Sequence, residues 1–201
     1  MRLVSTVMRG ALGRSRIEAI QHHLRQNPPH EVGGRALLEF SDHLDPNGRF
    51  GAIVSGTDSA SRDVLVFALE GGARLILRPS GTEPKTKVYA ELAGDFSSRE
   101  EVDAACRALA ASFVQDMLER VGIELSHWAL AISDLVPVEQ KQHFSEELLP
   151  SLLERIGADK ACEEWLDREL SPYGRDARAL VWPGVSAWIQ QAQPETSLVH
   201  S

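Results

Sequence analysis

The feature of the sequence that most constrains its fold is a pair of apolar runs joined by a Glu-Gly-Gly turn at residues 70–72. Residues 64–69 and 73–78 are both rich in β-forming side chains. The two glycines between them accept the positive φ angles that tight hairpin turns use. Pro79 has no N–H to donate to a strand ladder, and residues 85–92 alternate apolar and polar side chains as a third strand. The stretch therefore predicts an antiparallel sheet.

Helical patterns flank these strands on both sides. Residues 14–27 repeat apolar side chains at helical spacing up to an Asn-Pro-Pro stop, and residues 36–41 form a further short strand before a loop-rich stretch. After the third strand, Ser98 and Glu101 predict a capping box at the start of a helix. The apolar stripe of that helix is Val102, Cys106, Leu109, Phe113 and Met117. This order predicts an α+β fold, with helices packed on one face of an antiparallel sheet.

The pattern changes after Gly122, and this change predicts a domain boundary. We predict an N-terminal segment at 1–13, an α+β domain at 14–121 and an α-helical extension at 122–201. The helices predicted in the extension span 137–157, with an interruption or kink at a proline, and 158–170. The polar residues 193–201 are predicted to fray.

All four tryptophans of the chain lie in the extension, at positions 128, 165, 182 and 188. Packing within the core of the extension is the simplest role for them. A docking surface for another domain or subunit is the alternative.

Composition narrows the classes of function. The chain has 21 Lys and Arg against 29 Asp and Glu, a net charge of -8, which argues against binding to nucleic acid. No apolar run approaches the roughly 18 residues that a membrane span needs. Cys106 and Cys162 are interpreted as small buried side chains, which favours a reduced, cytoplasmic protein. The first 27 residues carry five arginines but no continuous apolar segment, and we interpret them as a surface helix rather than a signal peptide.

The histidines do not form a metal motif. His22 and His23 are adjacent and point in different directions from a helix. His143 has Glu146 and Glu147 at helical spacing, a pattern that is common on solvated helix faces. We therefore predict no metal site, no cofactor and no catalytic residue in this chain.

One motif carries chemistry, the sequence Arg-Pro-Ser-Gly-Thr-Glu-Pro-Lys at residues 78–85. The arginine offers a planar fork that holds two phosphate oxygens, and the two hydroxyls are further donors. The glycine allows backbone N–H groups to turn toward an anion, and a lysine follows on the next strand. All these groups are donors, and none is a base or an activated nucleophile. The motif predicts a phosphate clamp, with an ordinary β-turn as the simpler alternative, and the predicted ligands are Arg78, Ser80, Gly81, Thr82 and Lys87.

This motif, with the hairpin before it and Thr-Lys-Val-Tyr at 86–89 after it, resembles the signature of the C-terminal domain of the α-D-phosphohexomutases. That family contains bacterial phosphoglucomutases and phosphomannomutases, and the resemblance covers about residues 14–120. It implies a fold similar to that of the TATA-binding protein. It also implies a four-domain enzyme. The first domain carries a phosphoserine, the second holds Mg²⁺, the third reads sugar hydroxyls, and the fourth, which this chain resembles, grips the phosphate that is not transferred.

The resemblance assigns Arg78, Ser80, Gly81 and Thr82 to the phosphate loop and Lys87 to a further basic position. The residues at 83–85 match the motif and are expected to shape the loop. The sequence has no serine loop of the Thr-Ala-Ser-His-Asn-Pro type, no Asp-Gly-Asp-like metal loop and no Gly-Glu-rich sugar loop. Phosphoryl transfer depends on such groups, so the chain is not expected to be a mutase by itself.

Three hypotheses follow from this combination of a matching clamp and missing catalytic loops. The chain is part of a mutase that acts only as a whole, a free-standing module that binds a phosphosugar, or a relic whose extension supports protein association. The expected ligands are hexose phosphates or bisphosphates. The expected partners are the remaining mutase domains, with Mg²⁺ only in the full enzyme.

Overall fold

The computed structural model describes residues 2–8, 10–157, 162–173 and 175–192. Backbone contacts divide the chain into two compact units, residues 1–123 and residues 124–201. None of the described helices is both long and apolar enough to cross a membrane.

The first unit contains a six-stranded sheet in which every pair of neighbouring strands is antiparallel. The order across the sheet is β1-β6-β5-β4-β3-β2. The strands are β1 (Arg2–Val7), β2 (Glu31–Val32), β3 (Arg35–Asp42), β4 (Leu65–Leu69), β5 (Ala73–Pro79) and β6 (Lys85–Glu91). In the β4–β5 turn, Gly71 and Gly72 have φ angles of 74° and 70°, which explains why glycine is needed there.

Helices cover one face of this sheet, as the sequence predicts. They are α1 (Gly10–Gln26) and α3 (Arg99–Glu119), and both contact β6. Alternate residues of β4, β5 and β6 are buried beneath them, and the Phe67 ring lies 5.0 Å from that of Phe113 and 5.2 Å from that of Phe40, between ring centroids. The predicted α+β fold is confirmed. The opposite face, which we call the open face, carries the other set of alternating residues.

Three elements in the described part of this unit were not predicted from the sequence. One is the two-residue strand β2. Strand β1 pairs with β6 over six residues, from Arg2 opposite Ala90 to Val7 opposite Lys85. Helix α2 (Gly56–Ser61) lies in the stretch interpreted as loop, and its N-terminus is capped by the Ser55 side chain. The N-terminal residues are thus part of the sheet as well as of helix α1.

The start of α3 extends the predicted capping box by one residue. The Ser98 hydroxyl accepts a hydrogen bond from the Glu101 N–H at 3.1 Å, as expected. The Glu101 carboxylate accepts from the N–H of Ser97 at 2.8 Å and from its hydroxyl, and these bonds, with a smaller contribution from the Ser98 N–H, hold the pKa of Glu101 below its ordinary value. Four of the five predicted stripe residues are buried, and Val102 is partly exposed.

The described part of the second unit is helical. Its α-helices are α4 (Val138–His143), α5 (Leu149–Gly157), α6 (Cys162–Leu170) and α7 (Ala177–Ala192). A π-helical turn at Phe144–Leu148 joins α4 to α5, so the chain stays helical through Pro150. Residues 158–161 of the next predicted helix, and the tail at 193–201, lie outside the described residues.

The tryptophans of this unit differ in their surroundings. Trp128 and Trp165 are each only 8% exposed, in agreement with core packing, whereas Trp182 is 45% exposed. The Arg178 guanidinium lies 5.9 Å from the centre of the Trp182 ring. The side chain of Trp188 is outside the described set.

The second unit buries a lysine. Lys141 is 6% exposed, and its ammonium donates a hydrogen bond to the Ile132 carbonyl at 2.8 Å. Burial lowers the pKa of Lys141 to about 8, and the charge of Asp134 offsets only part of that shift. Burying a cation without full compensation destabilises the folded state.

Replacing this lysine tests that cost through its pH dependence. The folded protein binds the lysine proton less tightly than the unfolded chain, so stability rises between about pH 8 and the ordinary lysine pKa of 10.5. In Lys141→Met this rise is lost. The stability of Lys141→Met relative to wild type should therefore fall by on the order of 3 kcal/mol between pH 7 and pH 10.5. Urea unfolding followed by tryptophan fluorescence measures the free energy of unfolding of this unit, since all four tryptophans lie in it. A difference that does not change with pH would contradict the assignment.

Candidate functional site

The five residues predicted as phosphate ligands lie together at the β5–β6 connection. Arg78 is the penultimate residue of β5, and Lys87 is the third residue of β6. The other three, Ser80, Gly81 and Thr82, lie in the loop of residues 80–84 that joins the two strands. Arg78, Gly81 and Thr82 are exposed, and Ser80 and Lys87 are partly exposed.

The strand register places two cations side by side. Arg78 lies directly opposite Lys87 in the β5–β6 ladder, and both residues belong to the open face. Residues in such a position have Cβ atoms about 5 Å apart, and like charges there destabilise the pair. Within the described part of the chain, neither side chain forms a salt bridge with a carboxylate.

A second pair of charged residues on the same two strands provides a comparison for Arg78 and Lys87. Arg74 lies opposite Glu91 on the same face, and their side chains form a salt bridge with an N–O distance of 2.7 Å. One end of the ladder therefore carries a matched charge pair, and the end beside the loop carries an unmatched one. The unmatched pair creates a local positive potential that suits an anion.

Three backbone hydrogen bonds define the loop of residues 80–84. The Ser80 N–H donates to the Lys85 carbonyl at 2.8 Å, the Lys85 N–H to the Glu83 carbonyl at 2.7 Å, and the Met8 N–H to the Pro84 carbonyl at 2.9 Å. No acceptor among the described residues engages the N–H groups of residues 81–83. These three groups at the loop tip are therefore available as donors to a ligand.

Glu83 is the acidic residue of the loop, and its charge is already engaged. Its carboxylate forms an ion pair with the Lys85 ammonium. The hydrogen bond from Lys85, and then the charge of Lys85, hold the pKa of the Glu83 carboxyl below its ordinary value, with a smaller contribution from Lys87. Glu83 thus neutralises Lys85, and the loop region retains the positive charges of Arg78 and Lys87.

The conformation of Gly81 does not explain why this position is glycine. Its φ angle is outside the left-handed region, and a Cβ atom built on it would meet no other atom within 4 Å. Neither backbone strain nor packing therefore requires glycine here. A glycine here leaves room for another molecule to approach the backbone closely.

The chemical groups of the site are of the kind that suits an anion. Its side chains are donors and cations, and the only carboxylate in the loop is paired. Among the residues that the structure describes, no group of three or more His, Cys, Asp or Glu side chains is arranged to hold a metal ion. The arrangement presents donors and cations at the end of the β5–β6 hairpin.

Comparison with known proteins supports the resemblance drawn from the loop motif. Residues 33–109 match the family described as "Phosphoglucomutase/phosphomannomutase, C-terminal domain". The resemblance predicted from the loop motif is therefore confirmed for this part of the first unit. The family match does not include residues 14–32 or 110–120 of the predicted resemblance.

Similar proteins of known name match the same part of the chain. A probable phosphomannomutase of Haemophilus influenzae is 45% identical over 80 residues, which is 40% of this chain and 14% of that protein. A phosphoglucomutase of Staphylococcus aureus is 35% identical over 97 residues, or 45% of this chain and 16% of the relative. Its counterpart in another strain is 36% identical over 92 residues, with the same shares. The chain thus spans about one seventh of the length of these relatives.

Sequence analysis identified the residue types of the site but not two parts of its arrangement. The opposition of Arg78 and Lys87 depends on the strand register, which the motif does not specify. The contact from Met8 depends on β1, whose signal in the sequence is the short β-rich run at residues 3–7. The arginines around this run led to the interpretation of the N-terminal residues as a surface helix.

The two charge pairs predict opposite effects of matched substitutions. Arg78→Gln removes a like-charge repulsion, so the free energy of unfolding should stay equal or rise by about 0.5 kcal/mol at low salt. Arg74→Gln removes an exposed salt bridge, and the same quantity should fall by up to about 1 kcal/mol. Urea unfolding followed by the amide NMR signals of β5 and β6 compares the two variants. A clear loss of stability in Arg78→Gln would instead indicate a structural role for Arg78.

Proposed function

We propose that the β5–β6 hairpin binds the phosphate group of a hexose phosphate, as the C-terminal domain of a phosphoglucomutase- or phosphomannomutase-like enzyme. The observation that carries this proposal is the unmatched pair of Arg78 and Lys87. Two neighbouring cations on an exposed strand end are costly unless an anion lies between them. The matched pair of Arg74 and Glu91, four residues further along the same strands, has no such need.

The groups of the site suit a phosphate monoester dianion. The Arg78 guanidinium offers two parallel N–H donors to two phosphate oxygens, and the Lys87 ammonium supplies the second positive charge. The free N–H groups at the loop tip and the hydroxyls of Ser80 and Thr82 supply further donors. Because Glu83 is paired with Lys85, the two positive charges of Arg78 and Lys87 balance the two negative charges of the phosphate dianion.

The proposed role in the reaction is to hold and orient a substrate rather than to transform it. A clamp built only from donors grips the phosphate that is not transferred and leaves the rest of the sugar to other parts of the enzyme. Fixing one end of the substrate in this way lowers the entropy cost of bringing the reacting end into position. The remaining mutase domains would supply the nucleophile.

Magnesium is expected in the whole enzyme because it stabilises charge during phosphoryl transfer. The described residues of this chain do not fit such an ion, since they contain no cluster of three potential ligands. We therefore assign no magnesium ligand and no phosphoryl-transfer step to this chain.

Titration of the chain with glucose 6-phosphate, with glucose as control, tests the proposal by amide NMR. The phosphate should shift the signals of Ser80, Gly81 and Thr82, and glucose should not. A dissociation constant near millimolar, about −4 kcal/mol, is expected because a single clamp contacts only part of the ligand. Micromolar binding would favour a stand-alone phosphosugar-binding module. No shift at several millimolar ligand would contradict binding by the chain alone.

The matched variants Arg78→Ala and Arg74→Ala assign the binding to the unmatched pair. Arg78→Ala should weaken glucose 6-phosphate at least about tenfold, in the range of a lost charge-assisted hydrogen bond. Arg74→Ala, on the same strand and the same face, should leave the affinity within about twofold. Equal losses in both variants would indicate attraction by the general charge of the surface, and no loss in either would exclude this site.

The glycine of the loop gives a second test. Gly81→Ala should leave stability unchanged, because the added methyl group meets nothing within 4 Å. It should weaken glucose 6-phosphate severalfold if the phosphate approaches the backbone of the loop tip. Unchanged affinity in a folded Gly81→Ala protein would place the phosphate on the side chains alone.

A further inference from the structure

We infer that Met8 is a positioning residue of the phosphate loop, acting through its main-chain N–H. The inference rests on the proposed function, because it concerns how that same loop is held. Met8 precedes the stretch that matches the family, which begins at Gly33. Nothing in the phosphate motif itself therefore points to it.

The loop re-enters the sheet on a strand that has a neighbour on each side. β6 lies between β5 and β1. On the β5 side, the Lys85 carbonyl accepts from the Ser80 N–H at 2.8 Å, and on the β1 side, the Pro84 carbonyl accepts from the Met8 N–H at 2.9 Å. The Met8 bond continues the β1–β6 ladder one step beyond its last residue pair, Val7 with Lys85. The base of the loop is thus held from both sides.

Met8 is itself fixed by the first turn of α1. Its side chain is fully buried. A Cβ atom built on Gly13 would lie 2.5 Å from both the carbonyl carbon and the carbonyl oxygen of Met8. The helix backbone therefore presses directly against the Met8 peptide, and only glycine leaves room for this contact. Any side chain at position 13 has to displace Met8 or the helix.

The consequence for binding follows from the geometry of the loop tip. The N–H groups of residues 81–83 have no acceptor among the described residues, so their direction depends on the bonds that hold the rest of the loop. Releasing the Pro84 carbonyl removes the hold from the β1 side and leaves the bonds of Lys85 with Ser80 and Glu83. The donors at the tip then sample more orientations, and ordering them on binding costs affinity.

The comparison of Gly13→Ala with Gly56→Ala tests the inference. A Cβ atom on Gly56 meets nothing within 4 Å, and its φ angle lies outside the left-handed region, so it is the matched control. Gly13→Ala should lower the backbone order parameters of residues 81–84 and weaken glucose 6-phosphate about threefold to tenfold. Gly56→Ala should change neither. A folded Gly13→Ala protein with an ordered loop and wild-type affinity would overturn the inference.

If Gly13→Ala does not fold, hydrogen exchange of the wild-type protein tests the hydrogen bond from the Met8 N–H to the Pro84 carbonyl. The Met8 amide should exchange at least about a hundredfold more slowly than an unstructured amide, because it is buried and bonded to the Pro84 carbonyl. Exchange at the unstructured rate would overturn the inference. A different result would contradict the proposed function alone. In that case the wild-type protein binds no glucose 6-phosphate, while the loop of Gly13→Ala is still less ordered than that of Gly56→Ala.

Discussion

The site depends on the register between β5 and β6, which sets Arg78 opposite Lys87. Strand pairing is fixed along its whole length once one residue pair is fixed, so the ladder that joins Arg74 to Glu91 also brings the two cations together. The salt bridge between Arg74 and Glu91 and the apolar core beneath the strands stabilise the pairing. This stabilisation offsets the repulsion between Arg78 and Lys87 at the loop end. The charge arrangement of the loop is therefore a property of the hairpin and not of the loop sequence alone.

The helices of the first unit pack against one face of this hairpin and leave its open face accessible. Leu75, Leu77 and Val88 are fully buried beneath the helices, while the residues between them belong to the open face. Helices on a single face are what make the cation pair reachable. The outer strand β1 adds support at the loop, where the Met8 N–H holds the Pro84 carbonyl.

Much of this structure was predictable from local patterns. The alternation in β6, the two glycines of the β4–β5 turn and the apolar stripe of α3 each depend on residues close in sequence. Strand β1 was missed because it pairs with residues more than 75 positions away. The contact of Gly13 with Met8 joins residues close in sequence, and it was missed because it forms only where the chain turns from β1 into α1. The residues of the candidate phosphate loop were predicted from their chemistry. Their charge balance becomes visible only with the strand register and the Glu83–Lys85 ion pair.

The most direct test of the central claim is the second pKa of glucose 6-phosphate when it is bound to the chain, measured by ³¹P NMR as a function of pH. A phosphate held between Arg78 and Lys87 should lose its second proton at a lower pH than the free sugar phosphate, because neighbouring positive charges favour the dianion. The same measurement with Arg78→Ala should return most of the way to the free value. An unchanged phosphate pKa in the wild-type complex would contradict the account, since the two unmatched cations would then not be the groups that bind the phosphate.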